Sequence, residues 1–180
     1  RRFSLRLRSG ACVDHLSQRG FGWILIQGAD EPPPIEREKL GPDAYQLCAV
    51  PSQFQSHLRA VASRRGIKAA LLDQSCLAGV GNIYALEGLF HASIHPATKI
   101  ELISDAALEM LAEGIYQAMH ATLDAHQGGV PIRYNSGIGA ESPFQCYGRA
   151  GFPCHRCGTT LMLLRQGGRR SDLCPRCQPL

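Results

Sequence analysis

The chain has 180 residues, of which 44% are hydrophobic and 19% are charged, and its formal net charge is +4. This is the composition of an ordinary globular protein, which excludes a chain too polar to fold. No apolar run approaches the roughly 20 residues that cross a bilayer, so we expect no membrane partner.

Residues 1–27 are expected to be the last strands of an incomplete β domain. Phe3, Leu5 and Leu7 alternate with polar residues, which is the period of a half-buried strand. Ser9–Ala11 is a turn signal, and the apolar run Gly22–Ile26 predicts a further strand. Two or three strands cannot close a core alone, so the rest of this domain is expected elsewhere.

Residues 28–50 predict a linker, and residues 51–143 predict a mostly helical domain. The linker is rich in proline and charge, and three consecutive prolines make it stiff. The first helix is expected to begin with Ser52 and Gln55 as a capping box. Its apolar face is expected to hold the side chains of Phe54, Leu58 and Val61.

Three further helices are expected before residue 143. One begins near Lys68 and carries Leu71, Leu72 and Leu77, and the next begins around Asn82. A long helix with Ser104 as its cap buries a stripe of Leu108, Leu111 and Ile115 and stops at Gly128–Gly129. The stretch Val130–Pro143 is aperiodic and predicts a loop.

Residues 144–180 predict a zinc finger. Its spacing C-x2-C-x16-C-x2-C places two thiols in each of two tight turns, and four thiolates complete the tetrahedron of a structural zinc ion. The metal ligands are therefore expected to be Cys154, Cys157, Cys174 and Cys177, with a β-hairpin turning at Gln166–Gly168 between the pairs. The alternative is a redox dithiol.

The other four of the eight cysteines are scattered, at Cys12, Cys48, Cys76 and Cys146. Isolated cysteines among apolar neighbours are usually small buried side chains. This usage favours a reducing cytosol and one metal site over a disulfide scaffold. The zinc finger also carries six arginines and a single acid, Asp172, which suits a polyanion such as nucleic acid, although a solvated basic surface has the same composition.

The stretch LAGVGN, Leu77–Asn82, breaks one helix and starts the next. Glycine permits positive φ and close approach of another surface, and the first N–H groups of a helix attract phosphate. Asn82 and Lys68 would add an amide and a charge to such a site. A purely structural helical hairpin is the more frequent explanation of this pattern.

Three segments together resemble the formamidopyrimidine-DNA glycosylase and endonuclease VIII family of base-excision repair enzymes. Lys68–Pro96 is similar to that family's helix–two-turn–helix (H2TH) motif, and Tyr147–Gln178 is similar to its C-terminal zinc finger. Ser17–Gly22 resembles a segment at the end of its N-terminal β domain. The fold that this resemblance implies is α+β: β-sandwich remnant, helical H2TH domain and zinc-ribbon hairpin.

The resemblance also implies roles for five DNA-binding residues. Lys68 and Asn82 match positions that grip phosphates around the damaged nucleotide, and Arg169 matches a zinc-finger arginine that does so from the other side. Arg19 and Phe21 match side chains that enter the duplex and fill the gap left by an extruded base. A guanidinium and a ring can replace lost stacking and pairing, so this role is physically reasonable.

The family's nucleophile is an N-terminal proline assisted by a glutamate, and neither is found in this sequence. Arg1 is not that proline, so no catalytic residue is assigned, and we expect the chain as given to bind DNA without catalysis. The expected role is damaged-DNA binding, as a monomer, within a base-excision-repair DNA glycosylase/AP lyase that removes oxidised bases and cleaves abasic sites. The alternatives are a non-enzymatic damage sensor or decoy, and an RNA- or ribosome-associated zinc ribbon.

Overall fold

The computed structural model describes residues 2–16, 26, 28, 30–31, 39–127 and 144–180. The chain divides into two compact units, residues 1–34 and residues 35–180. Most of Gly22–Ile26, much of the predicted linker and the predicted loop Val130–Pro143 lie outside the described residues. Within the described ranges, no helix is long and apolar enough to cross a membrane.

Within residues 2–16, the first unit contains an antiparallel hairpin. Strand β1 (Arg2–Arg6) pairs with β2 (Cys12–Leu16), with Leu5 opposite Val13. The predicted turn at Ser9–Ala11 is confirmed, because the amide of Leu7 donates to the carbonyl of Ala11 at 2.8 Å. The leucine and valine side chains of this hairpin are exposed, so the two strands form no core of their own.

The second unit begins with the helical region. Its helices are α1 (Ala44–Cys48), α2 (Pro51–Ala62), α3 (Ile67–Leu71), α4 (Asn82–His91) and α5 (Asp105–Gln127), with a short 3₁₀ helix at Ile100–Leu102. Ser104 caps α5 as predicted, since its hydroxyl accepts from the amide of Ala107 at 3.2 Å. The predicted stripe of Leu108, Leu111 and Ile115 is fully buried.

Helices α4 and α5 pack closely at the centre of this core. A Cβ placed on Gly88 of α4 would lie 2.5 Å from Cγ1 of Ile115, and one on Gly114 of α5 would lie 2.5 Å from Cβ of His91. Glycine at these two positions lets the helix backbones approach each other. The position of α4 is thereby fixed, and α4 carries Asn82 as its first residue.

Three local predictions for the helical region are wrong. Helix α2 begins at Pro51 with Val50 as its cap and no side-chain cap bond, so Ser52 and Gln55 form no capping box. Gln55 instead donates to Asp105 at 2.9 Å. Val61 is 51% exposed, because the buried face of α2 runs through Phe54, Leu58 and Ala62.

The third wrong prediction concerns the helix after Lys68, which ends at Leu71. Asp73 ends it by offering its carboxylate to the amide and hydroxyl of Ser75, at 3.0 and 2.6 Å. Leu77 is buried in the turn that follows, not on a helix. A buried leucine in a turn and one on a helix face give the same sequence pattern.

The C-terminal hairpin consists of β3 (Met162–Gln166) and β4 (Arg169–Leu173), joined by Gly167 and Gly168. Both glycines have positive φ, 55° and 73°, which explains the glycine pair and confirms the predicted turn. Mixed helices and small antiparallel hairpins make the chain α+β, as expected from the sequence.

The zinc finger, or ribbon, packs against α4 through two charged side chains. The carboxylate of Glu87 accepts from the consecutive backbone amides of residues 145, 146 and 147, at 2.8, 3.0 and 2.8 Å. Arg156 donates to the carbonyls of Phe90 and His91 at the C-terminal end of α4. Both contacts satisfy backbone groups that would otherwise lack partners, so they fix the ribbon on the helical region.

Candidate nucleic-acid interface and zinc site

The four predicted metal ligands, Cys154, Cys157, Cys174 and Cys177, form one cluster. Their sulfur atoms all lie within 4.8 Å of one another. The sulfurs of Cys154 and Cys177 are 3.9 Å apart, and those of Cys157 and Cys174 are 3.4 Å apart. A tetrahedron with Zn–S bonds of about 2.3 Å has edges of about 3.8 Å. The cluster therefore fits one structural zinc ion.

Backbone turns hold both thiol pairs. The amide of Gly158 donates to the carbonyl of Cys154 at 2.9 Å, and the amide of Gln178 donates to the carbonyl of Cys174 at 2.9 Å. The amide and hydroxyl of Thr159 lower the pKa of the Cys157 thiol to about 6. These hydrogen bonds favour the thiolate form of Cys157, which is the form that zinc binds.

The turn before α4 is fixed by one side chain. Gln74 accepts from the amide of Gly79 at 2.8 Å and donates to the carbonyl of Val80 at 3.0 Å. Gly79 has a φ of +99°, which favours glycine, whereas a Cβ on Gly81 would meet no atom within 4 Å. The start of α4 therefore faces open space that an outside molecule can enter.

Lys68 and Asn82 meet at the ribbon. The ammonium of Lys68 donates to the backbone carbonyl of Arg170 at 2.7 Å and to the hydroxyl of Ser171. The amide of Asn82 donates to the same Arg170 carbonyl at 3.2 Å. Side chains from helices α3 and α4 thus donate hydrogen bonds to the same backbone carbonyl of strand β4.

Lys68 is only 2% exposed. Burial, followed by the nearby Arg169 charge, lowers the pKa of Lys68 to about 8. An ammonium has three N–H groups, and the two hydrogen bonds above use two of them. One donor of Lys68 is left for a further acceptor.

Arg169 shares a cleft with Lys68. The cleft has a volume of about 470 Å³ and lies between α3 and the tip of the hairpin, with Arg65 and Gln166 also on its walls. Arg169 is exposed, and its guanidinium has no hydrogen bond or ion pair within the described residues. The cleft therefore offers cations on two sides to an anion.

The structure thus brings together three of the five predicted DNA contacts, Lys68, Asn82 and Arg169, and all four predicted metal ligands. Arg19 and Phe21 lie outside the described residues, so the structure places neither of them. The role of all five in DNA binding stays a prediction.

Sequence reasoning missed three residues that hold this site together. Glu87 anchors the ribbon, Ser171 accepts from Lys68, and Asp172 binds Arg170. Asp172 had a signal, because it is the single acid in the zinc finger. Glu87 had none, since an acid between apolar residues of a helix usually points to solvent.

Comparison with known families gives two matches. The family described as the formamidopyrimidine-DNA glycosylase H2TH domain matches residues 40–133. The zinc finger found in formamidopyrimidine-DNA glycosylase and isoleucyl-tRNA synthetase (FPG and IleRS) matches residues 151–180. The second match agrees with the four-thiol geometry and with one structural zinc.

Similar curated proteins are formamidopyrimidine-DNA glycosylases. The one from Thermomicrobium roseum is 44% identical over 148 residues, which cover 79% of this chain and 50% of the relative. The one from Synechococcus sp. is 36% identical over 188 aligned positions, which cover 99% of this chain and 64% of the relative. The chain therefore spans between half and two thirds of the length of these relatives.

Similar solved structures are complexes with DNA. The Lactococcus lactis formamidopyrimidine-DNA glycosylase bound to DNA with an abasic (AP) site has a TM-score of 0.65 and 28% identity, covering 81% of this chain and 52% of that chain. MutM bound to DNA with carbocyclic 8-oxo-G has a TM-score of 0.63 and 30% identity, covering 81% and 53%.

Replacing Cys174 with serine should abolish stoichiometric zinc binding, because a hydroxyl does not substitute for a thiolate in a closed tetrahedral site. We expect metal analysis of purified protein to show about one zinc per unchanged chain and far less for Cys174→Ser. Cys12→Ser is the matched control, since Cys12 is exposed and outside the cluster. Full zinc occupancy in Cys174→Ser would contradict the assignment.

Proposed function

The chain belongs to the formamidopyrimidine-DNA glycosylase family, and we propose that it binds double-stranded DNA at damaged or abasic sites. The relatives are formamidopyrimidine-DNA glycosylases, and the similar structures are complexes with DNA that contains an abasic site or carbocyclic 8-oxo-G. The binding surface that we propose consists of the cleft between α3 and the tip of the ribbon hairpin together with the start of α4. Its contacts are Lys68, Asn82 and Arg169, all directed at phosphate.

The observation that carries this proposal is the convergence of Lys68 and Asn82 on the Arg170 carbonyl, next to Arg169. A phosphodiester needs several donors and positive charge in one place, and the remaining donors of these residues supply both. The open space beside Gly81 admits the DNA backbone to the first amides of α4. Zinc acts here as a structural ion that keeps Arg169 in position.

For catalysis, we propose that the chain serves as part of a longer DNA glycosylase/AP lyase that removes oxidised bases and cleaves abasic sites. Since the chain spans only 50% and 64% of its glycosylase relatives, that activity is proposed for the longer protein. By itself, the chain binds without cleavage. Its one described amine with a lowered pKa, Lys68, is buried and bonded to two acceptors, which opposes a role as nucleophile.

A non-enzymatic damage sensor or decoy is the second candidate. This candidate is favoured because the chain divides into two compact units, and one of them, residues 35–180, contains both the zinc site and the proposed DNA contacts Lys68, Asn82 and Arg169. In either case we propose a monomer in a bacterial cytoplasm, associated with the nucleoid through DNA, as the bacterial relatives suggest.

Asn82→Ala and Arg169→Gln should each weaken DNA binding about tenfold, as expected for one lost charge-assisted hydrogen bond. The loss should be similar for undamaged, abasic and 8-oxoguanine duplexes, because phosphate contacts carry no base information. Fluorescence anisotropy at a fixed salt concentration measures the dissociation constant for each DNA duplex, and an RNA duplex serves as a competitor. Arg176→Gln, at an exposed position between Cys174 and Cys177 and outside the two strands of the hairpin, is the matched control and should bind normally.

The proposal fails if both variants bind like the unchanged chain while retaining zinc. Preference for RNA over duplex DNA in the competition would instead support the ribosome-associated class of zinc ribbons.

DNA affinity should fall as pH rises through the pKa of Lys68, about 8. Phosphate binding favours the ammonium form, and the neutral amine predominates above this pKa, so we expect up to about a tenfold rise in Kd between pH 7 and 9. Lys68→Met lacks this titration and should bind weakly with a flatter pH profile. Identical profiles for the two proteins would rule out Lys68 as the titrating contact.

The 180-residue chain should neither nick abasic duplex nor become covalently trapped on it by borohydride. Borohydride reduces the imine that a lyase nucleophile forms with the sugar aldehyde, and we assign no such nucleophile to this chain. The reaction is run at protein concentrations that saturate the duplex by anisotropy, with a full-length family member as the positive control. A trapped adduct would overturn the proposal of binding without cleavage.

A further inference from the structure

The first two residues of β4 present two guanidiniums to opposite sides of the hairpin. Successive side chains of a strand alternate between its faces, so Arg169 and Arg170 diverge directly after the Gly167–Gly168 turn. Arg169 lines the cleft that contains Lys68. The guanidinium of Arg170 instead lies over the ring of Tyr147, 5.7 Å from its centroid.

Asp172 fixes the orientation of Arg170. One carboxylate oxygen accepts from Nη2 of Arg170 at 2.8 Å, and the other accepts from its Nε at 2.9 Å and from the amide of Gly148 at 2.7 Å. The Asp172 side chain is fully buried, whereas that of Arg170 is 34% exposed. A buried carboxylate is stable only with such complete pairing, and the pairing holds the guanidinium in one orientation.

The orientation leaves one edge of Arg170 unoccupied. Asp172 takes the edge formed by Nε and Nη2, and Nη1 has no acceptor within residues 39–127 and 144–180. The edge formed by Nη1 and the second hydrogen of Nη2 is the one that binds a phosphate through two parallel hydrogen bonds. Arg170 therefore combines a fixed guanidinium with a vacant bidentate edge.

We propose that Arg170, held by Asp172, binds a phosphodiester of the strand complementary to the one bound by Lys68, Asn82 and Arg169. The proposal rests on the proposed DNA-binding function and adds a second contact surface to it. The hairpin tip is two glycines without side chains, so it is narrow enough to enter a groove of the duplex. A groove is bounded by one backbone on each side, and the hairpin carries one arginine on each face.

Arg170→Gln separates this role from that of Arg169. On an abasic duplex, Arg170→Gln should reduce the slope of log K against log salt by about 0.9, the value for one lost phosphate contact. On the abasic strand alone, it should bind like the unchanged chain, because the complementary phosphates are absent. Arg169→Gln should weaken binding to both substrates, and Arg176→Gln should weaken neither.

Asp172→Asn is a second test, because the proposal and simple electrostatics predict opposite changes in DNA affinity. The substitution removes a negative charge, so general electrostatic attraction alone predicts tighter DNA binding. Loss of the fixed Arg170 orientation predicts weaker duplex binding with unchanged single-strand binding. Arg170→Lys keeps the charge but lacks the planar fork, and should behave like Arg170→Gln.

Zinc content and circular dichroism establish whether each variant is folded. If Asp172→Asn loses zinc, the two Arg170 variants alone test the proposed contact of Arg170. The proposal is overturned if folded Arg170→Gln binds duplex normally, or loses equal affinity for duplex and single strand. If Asn82→Ala and Arg169→Gln also bind normally, the proposed function itself fails. If those two weaken binding and Arg170→Gln does not, only the second contact surface fails.

Discussion

The backbone carbonyl of Arg170 connects the parts of the molecule that the proposed site requires. Lys68 of α3 and Asn82 of α4 both donate to it, so two helices and one ribbon strand meet at a single oxygen atom. Moving the ribbon would leave a buried ammonium without its acceptors, which costs several kcal/mol. The relative positions of the candidate phosphate donors are therefore set by hydrogen bonds within the protein, before DNA binds.

Zinc and Glu87 make that arrangement possible. Residues 144–180 are too few to bury an adequate core, so the metal supplies folding energy that apolar packing would supply in a larger domain. The three amides bound by Glu87 and the two carbonyls bound by Arg156 then fix the folded ribbon on α4. Loss of zinc is thus expected to affect the DNA surface even though no ligand cysteine contacts it.

The sequence predicted those features whose signal is local. The cysteine spacing determines a tetrahedral site by itself, and the glycine pair determines the hairpin turn, so both were confirmed. Val61 was assigned to the buried face wrongly because helix periodicity alone does not tell which neighbour the helix packs on. The engagement of Lys68 with Arg170, about 100 residues away, depends on tertiary contact and has no local signal. The resemblance predicts Lys68 as a phosphate contact but gives no sign that it also supports the ribbon.

If Lys68 both supports the ribbon and binds phosphate, as we propose, this double use has a consequence for binding. A lysine on the surface loses much side-chain freedom when it binds phosphate, whereas Lys68 has already lost it on folding. Its free donor is therefore preorganised, at the cost of a lowered pKa that makes its charge sensitive to pH near 8. Arg169, exposed and unpaired among the described residues, keeps its side-chain freedom until it binds. The proposed phosphate-binding cleft thus combines one rigid cation, whose charge is sensitive to pH, with one mobile cation.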